Sequence, residues 1–411
     1  MAIDGTVFTG IHGFNRSSVL AAQLKQTENV MSPIYFDYNA STPIAPEVLE
    51  AMLPYLTSHF GNASSAHAYG QQGRQAIMNA RAHVAALLNC EPDEVIFTSG
   101  GSEANNFAIK GYLDAHPDAG NEIITPAIEH PATSEACKYM ERVRGYRVFF
   151  APVDELGRVQ LEALQQAISA RTALISVMHA NNEVGTLQPV REITALAHAH
   201  NIAIHCDAAQ SAGKVPVNMK QMEVDMLSVA GHKLYAPLGV GALIVRRGLQ
   251  LERLIHGAKQ EQQRRAGTEN VAGIVGLGKA CDIAARDLEK NMTHMKMLRG
   301  RLRTSLSKQI EEIRFNGHAE DGLPNTLSVS FRGVQANALL AEISHEIAAS
   351  AGAACHSSGE IAVSHVLQAM NVPRDYAMGT LRLSVGKFTT EEEIDRAVKV
   401  IAQGVGKLRQ G

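Results

Sequence analysis

An α/β fold with a mostly parallel sheet flanked by helices is what this sequence predicts, and three observations carry the prediction. From about Pro46 onward, short β-rich runs alternate with Ala-rich helical stretches, the pattern of a parallel sheet covered on both faces. The 411 residues are 45% hydrophobic and 19% charged, a globular balance in a chain long enough for one large core and a smaller one. After Gly278 the alternation gives way to a long polar-apolar helical stretch through Glu312. We therefore expect a large domain over residues 46–290 and a smaller α+β domain formed by residues 31–45 together with 291–411.

Taken in order, EVIFTS (94–99) is the first strand and SEANNFAIKGYL (102–113) the helix after it. NEIIT (121–125) precedes a helix from about Pro131, RVFFAPV (147–153) precedes LEALQQAI (161–168), and TALISVMH (172–179) precedes REITALAHAH (191–200). IAIHC (202–206), MLSVA (226–230) and GALIV (241–245) are further strands, and TLSVSFRG (326–333) is the strand beyond the long helix. Sheets of this kind bind ligands at the carboxyl ends of their strands.

The formal charge of −3 is spread without long single-sign runs, which predicts neither a nucleic-acid face nor an anionic-membrane anchor. No stretch of about 18 uninterrupted apolar residues is present. Cys90, Cys137, Cys206, Cys281 and Cys355 are scattered without CxxC pairs, so neither a structural zinc site nor a disulfide framework is expected. A cytoplasmic protein fits this cysteine usage. The first thirty residues hold one arginine and a short apolar patch; we read them as an extension or an overlong start rather than a targeting segment.

Three strand ends stand out. In TSGGSEANN, the Gly100-Gly101 turn and Ser102 open a helix, where free backbone N–H groups and a positive dipole end suit a phosphate. The spacing matches neither a dinucleotide fingerprint nor a Walker loop. In IAIHCDAAQSAGK, Asp207 ends a buried strand, either capping a helix or bonding nearby backbone, or serving as the counter-charge of a cation such as a protonated ring nitrogen. In SVAGHKLYAP, Lys233 follows a buried strand; a desolvated lysine titrates low, and its neutral amine forms Schiff bases with carbonyl compounds. A snorkelling surface lysine is the alternative for Lys233 alone. The three together point to pyridoxal phosphate, with the carboxylate holding the pyridine nitrogen and the lysine the aldehyde.

The segments YFDYNASTP, TSGGSEANN, EHPA, NNEVGT, HCDAAQ, GHKLYAP, RRAGTEN and LRLSVGKFTTEEEI resemble the cysteine desulfurase and selenocysteine lyase family, in order and spacing, from about Ile34 to the C-terminus. The resemblance implies the type I fold of pyridoxal-phosphate enzymes, a homodimer, and removal of sulfur or selenium from L-cysteine or L-selenocysteine to leave L-alanine. By position it makes Lys233 the aldehyde-bound lysine, Asp207 the partner of the ring nitrogen and Gln210 that of the ring hydroxyl. His130 stacks on the ring and moves protons, and Asn182 lies beside it. Gly101, Ser102 and His232 bind the phosphate, and Thr268 reaches the phosphate of the neighbouring subunit. Arg382 clamps the substrate carboxylate, which a guanidinium fork does bidentately.

The same resemblance makes Cys355, in SAGAACHSSGE, the nucleophile that takes up sulfur as a persulfide and passes it to a protein acceptor such as an iron-sulfur scaffold or a sulfur carrier. Three departures stand beside it. Ala230 occupies a position where many desulfurases have a serine, Pro131 follows His130, and the run CHSSGEIAVSHVL is one residue longer than in housekeeping desulfurases. Its Cys-His-Ser start resembles selenocysteine lyases, and His356 is a candidate for lowering the thiol pKa.

Overall fold

The structure, a computed structural model, describes residues 32–355 and 361–410, with the side chains of 353–362 outside the described set. Seven strands form the main sheet: β2 (Val95–Thr98), β3 (Glu122–Pro126), β4 (Arg147–Ala151), β5 (Thr172–Met178), β6 (Ala203–Asp207), β7 (Met226–Ala230) and β8 (Gly241–Val245), after a short β1 (Ile34–Tyr35) that lies elsewhere. Their spatial order is β2-β8-β7-β6-β5-β3-β4. Only β8 is reversed, being antiparallel to both its neighbours; the rest are parallel. Each strand read from the sequence in this half is present.

Both faces of the sheet are buried, which is why its strands read as apolar runs. On one face Val95, Phe97, Ile175, Val177, Ile204 and Leu227 meet helices α1 (Pro46–Thr57) and α2 (Ala68–Leu88). On the other, Ile96, Leu174, Met226 and Leu243 meet the helical run that begins with α3 (Gly101–Asn106), and then α4 (Pro131–Arg144).

The long helix α5 (Val271–Gln309) begins seven residues before the expected Gly278, capped by Asn270, whose side chain accepts from the Gly273 N–H. Its glycine-rich first turns look unhelical in sequence, but the glycines serve packing: a Cβ on Gly278 would stand 2.5 Å from Ala80 Cα, and one on Gly276 2.7 Å from Met52 Sδ. Without side chains there, α5 lies close against α1 and α2. The same helix then joins a second core, where Met295, Leu298, Leu302 and Leu306 meet a four-stranded sheet.

That sheet has the order β12-β15-β10-β9, all antiparallel: β9 (Ile313–Asn316), β10 (Thr326–Phe331), β12 (Ser350–Ala351) and β15 (Thr380–Ser384). The short β1 pairs with β11 (Ile347–Ala348), which ties the start of the described chain to this half. A hairpin of β13 (Ala353–Cys355) and β14 (Ile361–Val363) follows β12. Residues beyond it return to the first core, where Val366, Leu367 and Met370 are buried. No helix among the described residues is long and apolar enough to cross a membrane.

Candidate active site

At the carboxyl ends of β5, β6 and β7 lies a cavity of about 550 Å³, within the usual range for cofactor sites. Gly101, Ser102, His130, Asn182, Asp207, Gln210, His232, Lys233 and Arg382 all line it. A larger groove of about 710 Å³ lies against Asp225, Arg246 and His198. Asp225 there already accepts from Arg246 Nε at 2.7 Å and the Ile204 N–H at 2.9 Å.

One wall is the turn after β2. Gly100 sits at φ +153°, a conformation that favours glycine, and caps α3 with no side chain in the way. First-turn N–H groups of a helix have no partner in their own helix, and those of α3 open beside Ser102. Glu103, which also lines the cavity, has its carboxylate engaged by Arg265, 2.8 Å from Nε to Oε1, and by the Ser99 N–H.

The floor is Asp207. It is buried, accepts from Asn105 Nδ2 at 2.6 Å and from the Ala209 N–H at 2.8 Å, and retains lone-pair capacity for a further donor. Asn105 also donates to Thr133 Oγ1. Below it, burial and the charge of Asp207 push the carboxyl of Glu129 well above its usual range.

Gln210 is fixed on both sides. Its Nε2 donates to the Asn39 carbonyl at 2.9 Å, and its Oε1 accepts from Lys214 Nζ at 3.0 Å. Asn39, from the YFDYNASTP segment, also donates to the Asn182 carbonyl and to Thr326 Oγ1 of β10, so it joins the two halves at the cavity rim. Thr42 from the same segment donates to the His232 carbonyl and accepts from the Tyr235 N–H, which pins the lysine loop.

Lys233 has no hydrogen-bond partner among the described residues. Burial holds its ammonium below the ordinary lysine value, against the pull of Asp207. His130 caps α4, its Nδ1 accepting from the Ala132 N–H at 3.1 Å, which leaves the proton on Nε2. Burial, then Lys233, keep this imidazole below its usual pKa, and the same two causes act on His232. Arg382 donates to Asp37 Oδ1 at 2.7 Å, Ser350 Oγ at 3.0 Å and the Asn182 carbonyl at 3.1 Å, while its Nε is buried without a partner. Part of the expected fork is therefore already engaged by Asp37.

Thr268 stands apart, exposed, in a smaller neighbouring cavity that shares Ser99 and Gly239 with the main one. Its loop is anchored by Glu261, which takes two bonds from Arg81 at 2.8 and 2.9 Å and one from the Phe97 N–H. The side chain of Cys355 and the whole of His356 lie outside the described residues; the backbone of Cys355 pairs with Ile361 in the hairpin. Asn39, Asp37, Asn105 and Lys214 were not among the residues singled out from sequence. All four lay in segments quoted there.

Residues 34–397 match the family model for class V aminotransferases. The chain belongs to that family. It is 42% identical over 377 residues to the cysteine desulfurase IscS of Dictyoglomus turgidum, with 92% of this chain and 95% of that protein covered. It is 44% identical over 382 residues to a cysteine desulfurase of Gluconacetobacter diazotrophicus, with the same coverage of each. A solved NifS-like protein superposes with a TM-score of 0.85 at 38% identity, covering 91% of this chain and 99% of its own. The architecture of this class V chain is accordingly the type I fold of pyridoxal-phosphate enzymes.

Proposed function

We propose that this protein is a pyridoxal-phosphate-dependent cysteine desulfurase, which converts L-cysteine to L-alanine and leaves the sulfur as a persulfide on Cys355. The observation that carries the reading is the convergence, in one cavity, of an unpartnered lysine, a buried carboxylate and free helix N–H groups, together with family membership. The residues fit the cofactor. Its phosphate matches the α3 N-terminus with Gly101, Ser102 and His232, its ring nitrogen matches Asp207, and its aldehyde matches Lys233.

When bound, the cofactor supplies an electron sink for the substrate carbon. Lys233, kept low by burial, is a neutral amine more often than a surface lysine is, and so is ready to bond a carbonyl carbon. His130 lines the site with its Nε2 unbonded among the described residues and moves a proton to or from the substrate. Arg382 and Asn182 orient the substrate, the guanidinium supplying the charge that pairs with its carboxylate. The Cys355 thiolate forms the S–S bond as the substrate C–S bond breaks, and the carbon left behind gains a proton to give alanine.

A homodimer accords with exposed apolar side chains: Leu49, Leu53 and Leu56 on α1, and the Phe60–Tyr69 ring pair, since clustered apolar surface marks interfaces. In that assembly Thr268 would serve the neighbouring subunit's phosphate, and the persulfide would pass to a protein sulfur acceptor. The test compares alanine release from L-cysteine and L-selenocysteine by the wild type and Cys355→Ala under identical reduction. Loss of the cysteine reaction in the variant supports the desulfurase. Strong selenocysteine turnover by both proteins with little from cysteine would replace it with a selenocysteine lyase.

A further inference from the structure

Lys214 is the cationic group of this site that the proposed chemistry leaves unused. It follows β6 in the turn Asp207–Val215 and is 4% exposed, yet no carboxylate lies within ion-pair distance among the described residues. Its Nζ instead donates to Asn39 Oδ1 at 3.1 Å and Gln210 Oε1 at 3.0 Å. Burying an ammonium without a counter-charge costs several kcal/mol, which an apolar residue of similar length would avoid.

The geometry around Gln210 shows what that lysine does. An amide can be turned end for end with little change in shape, and its two ends have opposite hydrogen-bond character. Turned over, Gln210 would set Nε2 against the Lys214 donor and Oε1 against the Asn39 carbonyl, a double mismatch. With Lys214 present, Oε1 faces the lysine and Nε2 faces the Asn39 carbonyl. That bond uses one of the two Nε2 hydrogens, and the second is unspent on a residue that lines the cavity.

We propose that Lys214 is a positioning residue that locks the Gln210 amide so that its free N–H, and not its carbonyl, meets the ring oxygen of the bound cofactor. This rests on the pyridoxal-phosphate reading above. The charged groups facing Lys214 are Lys233 and Arg382, and burial with these two cations holds its ammonium well below the ordinary lysine value. Charged or neutral, the amine has the two hydrogens its bonds require; the ammonium has no lone pair to accept from a turned amide, and the Asn39 carbonyl opposes the turn in both forms.

The experiment is an absorbance titration of cofactor-loaded wild type, Lys214→Met, Gln210→Ala and the double variant across pH. A donor on the ring oxygen stabilises its negative charge and so weakens that oxygen's hold on the proton of the adjacent nitrogen. Losing it moves the midpoint of the cofactor band to higher pH, by about one unit for one bond to a charged oxygen. We expect that shift in Lys214→Met and in Gln210→Ala, with the double variant shifted no further than either. An unchanged midpoint in Lys214→Met overturns the proposal, as does a Lys214→Met shift that persists in the Gln210→Ala background, which would mean that the lysine acts through its own charge. If Lys214→Met does not fold, Lys214→Gln, too short to reach Gln210, is judged by the same two outcomes. A wild type that takes up no pyridoxal phosphate would instead overturn the proposed function, and this inference with it.

Discussion

The floor and the wall of the cavity are built on opposite terms. On the floor, Asp207 and Gln210 are buried and each is held by two protein hydrogen bonds before any ligand arrives. On the wall that carries Lys233 and Arg382, Lys233 has no hydrogen-bond partner among the described residues and Arg382 keeps a buried Nε unspent. Groups that must only hold a ring in place gain from being fixed in advance, whereas groups that must form and break bonds gain from being poised and unsatisfied. Substitutions in the two regions should therefore fail differently, wall variants in turnover and floor variants in cofactor retention.

The largest expected effect is on the wall: Lys233→Ala should reduce alanine release from L-cysteine to background while its thermal unfolding matches that of the cofactor-free wild type. On the floor, Asn105→Ala removes a bond to a charged oxygen, worth about 1.5–3 kcal/mol, and equilibrium dialysis should show cofactor binding weakened by at most that amount. A third test sits behind both regions. Glu261→Gln leaves Arg81 buried without its charge partner, which should cost about 3–5 kcal/mol in denaturant unfolding.

Acid should weaken the fold through two histidines beneath the sheet ends. Burial pushes His179 and His205 down to about 4 from the ordinary 6.5, so the unfolded chain binds their protons first. Their contribution is complete above pH 6.5 and is lost as pH falls toward 4. Unfolding free energy measured over that window should decline, and His205→Asn should flatten the decline. The smallest effect tests the departure at Ala230, which lines the cavity: Ala230→Ser adds one donor and should tighten cofactor binding by about 0.5–1.5 kcal/mol.

How much of this was legible in the sequence also divides by region. The main sheet was readable because strands buried on both faces are apolar runs ending in Asp207 or in Gly231-His232-Lys233, and those ends are the site. The second sheet was less so: only β10 stood out, while β9 and the two-residue β12 are too short to show a period. The start of α5 was hidden because its glycines answer to Met52 and Ala80, residues about 200 positions earlier in the chain. Asn39 and Lys214 escaped for the same reason. Their bond spans 175 residues, and an asparagine in a loop or a lysine after a turn carries no local sign of burial.

The most direct measurement is mass spectrometry of the Cys355 peptide after the cofactor-loaded protein meets L-cysteine without reductant. The account predicts that this peptide, and not those of the four buried cysteines, gains the mass of one sulfur atom, with alanine formed in equal amount. Alanine formed with Cys355 unmodified throughout the time course would contradict it.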